Sequence, residues 1–173
     1  NGVRAQLQQP GTSRESERLR ALLISMLDDG PRVRLLRMIQ ASTSEVPSIA
    51  WRFTELALRT MGRGPLTVRG LASGLGVSQR TLERAWRAEA LPAPKELLDW
   101  LGLLFAGFLS AQNGVSVASA ARGLGIGSQQ LYRFRHRLLP HELDPSRATF
   151  ETVFLAFAGR CRAAVHAIHH LTW

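Results

Sequence analysis

Residues 94–113, PKELLDWLGLLFAGFLSAQN, decide the fold. Their apolar side chains cover nearly the whole circumference of the helix that they predict, instead of one stripe. Such a helix has to be buried. A membrane span needs about 20 apolar residues, whereas this run is shorter, contains Asp99 and is interrupted by Gly102 and Gly107. The stretch is therefore predicted to be the central core helix of an all-α fold.

The charge of the chain indicates a polyanionic partner. Among 173 residues, 22 Lys+Arg outnumber 13 Asp+Glu, which gives a formal net charge of +9. This excess favours binding to nucleic acid or to an anionic membrane surface, although a GC-rich genome also produces arginine-rich proteins. Residues 65–139 hold nine basic and four acidic residues, while residues 140–173 hold three of each. The excess therefore avoids the carboxyl-terminal segment.

Cysteine content and the start of the sequence bear on the compartment. Cys161 is the single cysteine, so an internal disulfide is excluded. No apolar signal sequence opens the chain. A cytoplasmic location is expected.

Three amphipathic helices are predicted before the first repeated motif, because apolar residues recur there with helical spacing and no alternation typical of strands occurs. Gly30-Pro31 is expected to end the first of them, and residues 62–65 the third. The polar run 41–48 is predicted to be a connection. The three helices span residues 14–29, 32–40 and 49–61.

Residues 66–89, LTVRGLASGLGVSQRTLERAWRAE, are typical of a helix-turn-helix. Ala72 supplies a small residue, Gly76 the turn, and Ser78 an N-cap for a second helix that directs Leu82 and Trp86 inward. A tight helical corner without a binding role is the alternative interpretation. The outward face of the second helix carries Gln79, Arg80, Glu83, Arg84 and Arg87.

The same pattern occurs a second time, and a helical corner that arose by chance would not be repeated so completely. Val68, Ala72, Gly74, Leu75, Gly76, Leu82 and Arg84 recur at one constant offset as Val117, Ala121, Gly123, Leu124, Gly125, Leu131 and Arg133. In the second copy, Ser128 is predicted to cap the helix and Leu131, Phe134 and Leu138 to face inward. Arginine pairs with guanine and glutamine with adenine in the major groove. The predicted DNA-reading set of this copy is Gln129, Gln130, Arg133 and Arg137.

The two copies and the helix between them resemble the DNA-binding region of the AraC/XylS family of bacterial transcription regulators. The resemblance covers about residues 49–139. It implies two helix-turn-helix units, joined by a rigid helix, that place their recognition helices in successive major grooves on one side of the DNA. The first unit matches at Leu71-Ala72, Leu75-Gly76-Val77-Ser78, Leu82, Arg84 and Trp86.

The second unit departs from the family pattern. Gly125-Ile126 replaces the usual Gly-Phe, the recognition helix is one residue short, and the linking helix lacks the family's arginine. A helix shortened by one residue rotates every following side chain by about 100°. We therefore expect the second unit to position the protein more than it reads bases, with Arg133 facing a phosphate.

The carboxyl-terminal segment, residues 141–173, predicts a further amphipathic helix. Asp144-Pro145 is a helix-start signal. The apolar seam follows spacings of four and three, as in a coiled-coil contact. The seam is expected to pack on the amino-terminal helices of the same chain, and self-association is the alternative. Its residues are Phe150, Phe154, Phe157, Cys161, Ala164, Ile168 and Leu171.

Catalytic and metal chemistry is not expected. His166, His169, His170 and Cys161 are too widely distributed around one helix to bind zinc together. The glycines at 123, 125 and 127 match a phosphate loop only weakly, because no strand precedes them. No serine, cysteine or carboxylate has an evident activating partner. We expect neither an enzyme nor a cofactor.

The sequence thus predicts three segments and two alternative functions. Residues 1–48 form amino-terminal helices that are a remnant of an effector or dimerisation region, residues 49–140 the double helix-turn-helix domain, and residues 141–173 the last helix. The first function is a sequence-specific transcription regulator that binds double-stranded DNA and no membrane. RNA polymerase and a second copy, joined through the amino- or carboxyl-terminal helices, are candidate protein partners. The second function is a helical protein-protein interaction module, an adaptor or co-regulator with weak or no specific DNA binding.

Overall fold

The computed structural model describes residues 29–42, 48–87, 91–139 and 148–169. All regular secondary structure in these ranges is helical, which confirms the all-α prediction. The predicted helix 14–29 lies almost entirely outside the described residues. The described helices are α1 (Asp29–Ser42), α2 (Ser48–Thr60), α3 (Val68–Gly74), α4 (Gln79–Trp86), α5 (Pro94–Asn113), α6 (Val117–Gly123), α7 (Ser128–Leu138) and α8 (Phe150–His169).

Helix α5 is the centre of the fold, as predicted. Every residue from 97 through 109 is buried, and α1, α2, α6, α7 and α8 all contact the helix. It begins with Pro94 in its first turn. Backbone N–H groups of the first turn make no intrahelical hydrogen bond, so the N–H that proline lacks costs no bond there. It ends at Gly114, whose φ of 63° is the left-handed conformation that glycine adopts readily.

None of the described helices is by itself long and apolar enough to cross a membrane; α5 and α6 reach that composition only together, across a bend of 117°.

Helix α1 is attached to α2 and α5 through a buried arginine. Arg32 is 3% exposed; its Nε donates to the carbonyl of Leu58 at 3.0 Å and its Nη2 to that of Met61 at 3.1 Å. These carbonyls lie at the end of α2, where the last turn has no intrahelical donors and a cation is favoured. The same guanidinium lies 5.3 Å from the ring centre of Phe105 in α5.

Gly30 and Pro31 lie inside α1, although the sequence suggested that they end an earlier helix. The helix starts at Asp29, so Pro31 occupies its first turn, the position that proline tolerates best. The end of the predicted helix 14–29 lies outside the described residues, so the predicted stop stays a prediction.

Within the described residues helix α8 packs on α5; the predicted contact with the amino-terminal helices stays a prediction, because residues 1–28 lie outside the described ranges. Phe157 lies 5.7 Å from Trp100, and Phe150 lies 5.4 Å from Phe108, between ring centres. The physical reason is that α5 is apolar around its whole circumference, so α1 and α2 leave one side of it for α8. Val153 joins the buried positions of α8, and the seam beyond Cys161 lies outside the described side chains.

The two repeated motifs fold into two similar helical corners. We call α3 and α4 with their turn the first corner, and α6 and α7 with theirs the second corner. The turn glycines have φ values of 74° at Gly76 and 77° at Gly125. The N–H of Val77 bonds back to an alanine carbonyl of α3 at 3.0 Å, and that of Ile126 to the corresponding alanine of α6 at 2.9 Å. The sequence repeat is therefore also a repeat of backbone hydrogen bonding.

The corners differ where their second helices begin. The hydroxyl of Ser78 caps α4 by accepting the N–H of Thr81 at 3.0 Å. In the second corner, Gly127 occupies the N-cap and offers no side chain, so the predicted cap at Ser128 was wrong. Gly127 is extended, which makes Ser128 the first helical residue. Helix α7 has 11 residues and α4 has 8, so the second helix of the second corner is longer than the second helix of the first corner.

One hydrophobic core runs through all the described helices. It contains Leu35 from α1, Trp86 from α4, Leu103 from α5 and Phe157 from α8. Helices α1 and α8 therefore share one core with residues 49–139, and both contact α5. The division into three functional segments stays a prediction.

Candidate nucleic-acid interface

The first corner has one buried and one exposed face. Leu82 is fully buried and Trp86 is 5% exposed. The indole Nε1 of Trp86 donates to the carbonyl of Pro92 at 2.9 Å, and its ring meets Phe53 edge-on at 5.0 Å. The prediction that Trp86 belongs to the core is confirmed. The opposite face presents all five predicted side chains to solvent: Gln79, Arg80, Glu83, Arg84 and Arg87.

The arginines on this face are available to a ligand. The amide of Gln79 donates to Oε1 of Glu83 at 2.7 Å, so these two side chains restrain each other. Arg80, Arg84 and Arg87 have no side-chain hydrogen bond or ion pair with any residue that the structure describes. Three extended cations on one helical face can pair with phosphates or with the acceptor edge of guanine.

The second corner repeats this arrangement with fewer free charges. Leu131 and Phe134 are buried, at 5% and 7% exposure, which confirms the inward stripe. Arg133 is exposed at the position that corresponds to Arg84 in the first corner. Solvent also reaches the other three predicted side chains: Gln129, Gln130 and Arg137.

Arg137 differs from the rest of its predicted set because its guanidinium bonds to α5. Its Nη2 donates to Oδ2 of Asp99, whose side chain is 3% exposed and also accepts from Nζ of Lys95 at 3.1 Å. This ion pair holds α7 against α5. The sequence did not reveal it, since the two residues are 38 positions apart. Arg137 is therefore a positioning residue for α7.

Tyr132 and His136 are candidate interface residues that the sequence analysis missed. Tyr132 is 63% exposed, and its ring centre lies 4.1 Å from that of His136 one turn later. Together with Arg133 they cover the exposed face of α7. Tyrosine hydroxyls contact phosphates, and an aromatic ring suits the methyl group of thymine. The constant offset was an available signal, because it aligns Tyr132 with the outward-facing Glu83.

Arg135 occupies the place in α7 that Trp86 occupies in α4. It is only partly exposed, and its Nε has no hydrogen-bond partner among the described atoms. Burial lowers the pKa of its guanidinium below the usual arginine value. Phe134, one position earlier, supplies the apolar contact in this corner. The inward side of α7 is thus less apolar than that of α4.

The residues considered as metal ligands do not assemble a site within the described region, where no group of three or more His, Cys, Asp or Glu side chains comes together. Cys161 faces the core, and burial raises the pKa of its thiol to about 12. The side chains of His166, His169 and His170 lie outside the described residues. Gly123 is the last residue of α6, Gly125 makes the turn, and Gly127 is the N-cap of α7.

Comparison with known proteins finds no relative of this chain. The chain matches no known protein family, no curated protein and no solved structure. The two corners and their exposed arginines are therefore the observations on which a functional proposal rests.

Proposed function

We propose that this chain is a sequence-specific DNA-binding transcription regulator of the AraC/XylS type, whose two corners are helix-turn-helix units. One observation carries the proposal: the same turn geometry occurs on both sides of one buried helix. Each copy presents an exposed arginine, Arg84 or Arg133, at the corresponding place. A corner with only a structural role does not require an exposed arginine at the same position in both copies.

In the proposed complex, α4 and α7 enter successive major grooves on one side of the duplex. The first corner packs on α2 and the second corner on α5, and α2 itself contacts α5, so the two corners are held in one hydrophobic core. Arg80 and Arg84 read guanine edges or pair with phosphates. The basic excess of the chain supplies attraction to the phosphate backbone that does not depend on sequence.

The regulator is proposed to work in the bacterial cytoplasm, with double-stranded DNA as its main partner. RNA polymerase, and a second copy of the chain, are the proposed protein partners. The amino- and carboxyl-terminal helices are the proposed surfaces for these contacts.

Selection of bound sites from random DNA with the full chain tests the proposal. We expect an enriched site with two elements about 10 to 10.5 base pairs apart, one helical turn of DNA. The double variant Arg80→Ala, Arg84→Ala should lose preference in one element and keep the other. Arg59→Ala is the matched control, because Arg59 is exposed on α2 and pairs with Glu55. The absence of any enriched site at low salt would contradict the proposal.

A protein-protein interaction module is the second candidate function. Three large apolar side chains are exposed on the outer helices: Leu155 on α8 at 65%, and Val33 and Met38 on α1 at 39% and 37%. A titration of DNA binding against salt separates the two candidates. A sequence-specific regulator keeps a preference for the selected site over unrelated DNA as salt rises, whereas a module that binds proteins shows at most sequence-independent DNA binding, which salt removes.

A further inference from the structure

The exposed face of the second corner differs in chemistry from that of the first, although the two correspond at one constant offset. Four exposed positions in each corner lie opposite the buried stripe. In the first corner they hold three arginines and a glutamate: Arg80, Glu83, Arg84 and Arg87. The corresponding residues of the second corner are Gln129, Tyr132, Arg133 and His136. Only the third position keeps its residue type, so the second corner has one arginine there beside an aromatic pair.

The ring of Tyr132 is supported on both sides along α7. It is 63% exposed, and its centre lies 4.1 Å from that of His136, one turn later. Gln129 lies on the same face, three positions earlier. A ring that already has such neighbours loses less side-chain entropy when a partner covers it than an isolated side chain does.

An open depression adjoins this ring. Its volume is about 470 Å³, and the described residues that line it are Ser128, Gln129, Tyr132 and Arg133. Most of the lining surface is apolar, and the tyrosine ring and the side-chain carbons of its neighbours supply it. An apolar depression favours a methyl group. A phosphate is bound instead by hydrogen-bond donors, which the guanidinium of Arg133 supplies in this set.

We propose that Tyr132 recognises a thymine in the element of the DNA site that α7 covers, with its ring against the C5-methyl group of the base. This inference rests on the proposed function. Thymine is the base that presents a methyl group in the major groove, and apolar side-chain contact is how proteins read it. The two elements are then read by different chemistry, because guanidinium groups of the first corner pair with acceptors and Tyr132 covers a methyl group.

Replacement of thymine by uracil in the selected DNA site removes this methyl group and nothing else. The α7 element is the one whose preference the double variant Arg80→Ala, Arg84→Ala keeps, and we expect selection to enrich a thymine there. Uracil at that position should weaken binding of the full chain about fourfold in fluorescence anisotropy, the factor expected for one buried methyl group. Uracil outside the two elements should leave the affinity unchanged.

Variants of Tyr132 connect this effect to the ring. Tyr132→Ala should bind the thymine duplex about fourfold more weakly than wild type, and should bind the thymine and uracil duplexes equally. Tyr132→Phe loses only the hydroxyl, so it should keep the preference for thymine. Arg59→Ala, on α2, is the matched control and should keep both the affinity and the preference. Thermal unfolding should stay unchanged in all three variants, because both residues are exposed.

Three results would overturn the inference: an α7 element without an enriched thymine, equal affinity of wild type for the thymine and uracil duplexes, or a preference for thymine that persists in Tyr132→Ala. Equal losses in Tyr132→Phe and Tyr132→Ala, with no effect of uracil, would also overturn it and assign the hydroxyl to a phosphate. The absence of any enriched site would reject the proposed function and this inference with it, so the two failures are distinguishable.

Discussion

The guanidinium of Arg137 donates a hydrogen bond to Asp99, a carboxylate that is 2% exposed within α5. Lys95, one turn before Asp99, donates to the same group at 3.1 Å. A buried carboxylate needs such partners, because desolvation of an unpaired charge is unfavourable. The pair therefore fixes how α7, with its exposed polar face, sits on the central helix.

Arg137→Ala tests this role. We expect the free energy of unfolding to fall by about 1 to 3 kcal/mol, the range for loss of a hydrogen bond to a buried charged group. Lys95 still pairs with Asp99 in the variant, so the full cost of a broken buried pair does not arise. Chemical denaturation measures the change. Asp99→Asn, which keeps the shape, should also destabilise, and full stability in both variants would exclude the positioning role.

Arg80→Ala and Arg84→Ala test the first corner. Each should weaken binding to the selected DNA site by about 1 to 3 kcal/mol if the arginine reads a base. Both side chains are exposed and have no partner among the described residues, so stability should stay unchanged. Fluorescence anisotropy with Arg59→Ala as control gives the comparison. Wild-type affinity in both variants would show that α4 does not contact DNA.

Arg133→Ala tests the expectation that the second corner positions more than it reads. Helix α7 has one fewer free arginine than predicted, because Arg137 bonds to Asp99. We expect a uniform loss of affinity across single-base variants of the site and a salt slope reduced by about one, the signature of a phosphate contact. A loss of discrimination at a single base pair, with the wild-type slope, would make Arg133 a base reader.

Trp86→Ala tests the inward side of the first corner. Removal of a buried aromatic residue should cost about 3 to 5 kcal/mol of stability, because the indole fills the space against Phe53. Trp86→Phe keeps an aromatic side chain but is smaller and loses the hydrogen bond to Pro92, so it should destabilise by less than Trp86→Ala. A Trp86→Ala protein that is stable but does not bind DNA would assign the residue to the interface instead.

Cys161 provides a test of the α5–α8 contact. Burial raises the pKa of its thiol to about 12, so at pH 8 the folded protein should react with a thiol reagent on the order of a thousandfold more slowly than the urea-unfolded chain. The raised pKa also has a linkage consequence: its contribution to stability is present below the unfolded pKa of about 8.5 and is lost as the pH rises towards 12. Equal labelling rates in the two states would mean that the Cys161 side of α8 is not buried in the core.

The sequence by itself determined the helices and the repeat. The apolar residues around residues 94–113 predicted a central helix whose observed bounds are Pro94–Asn113, because a helix that is apolar on every side has no stable solvent-exposed position. The constant offset predicted two corners, and both turn glycines adopt the positive φ that their residue type allows at low cost. The exposure of Arg80 and Arg84 followed from the inward spacing of Leu82 and Trp86.

The tertiary structure alone decided which surfaces meet. The sequence did not indicate that α8 packs mainly on α5, because an apolar seam predicts burial without naming the partner. It also did not indicate that Arg137 turns towards Asp99. These contacts join residues far apart in the chain, and their geometry is fixed only when the helices pack around α5. Periodicity reports which face of a helix is buried, whereas the identity of the neighbour depends on how all the helices share one core.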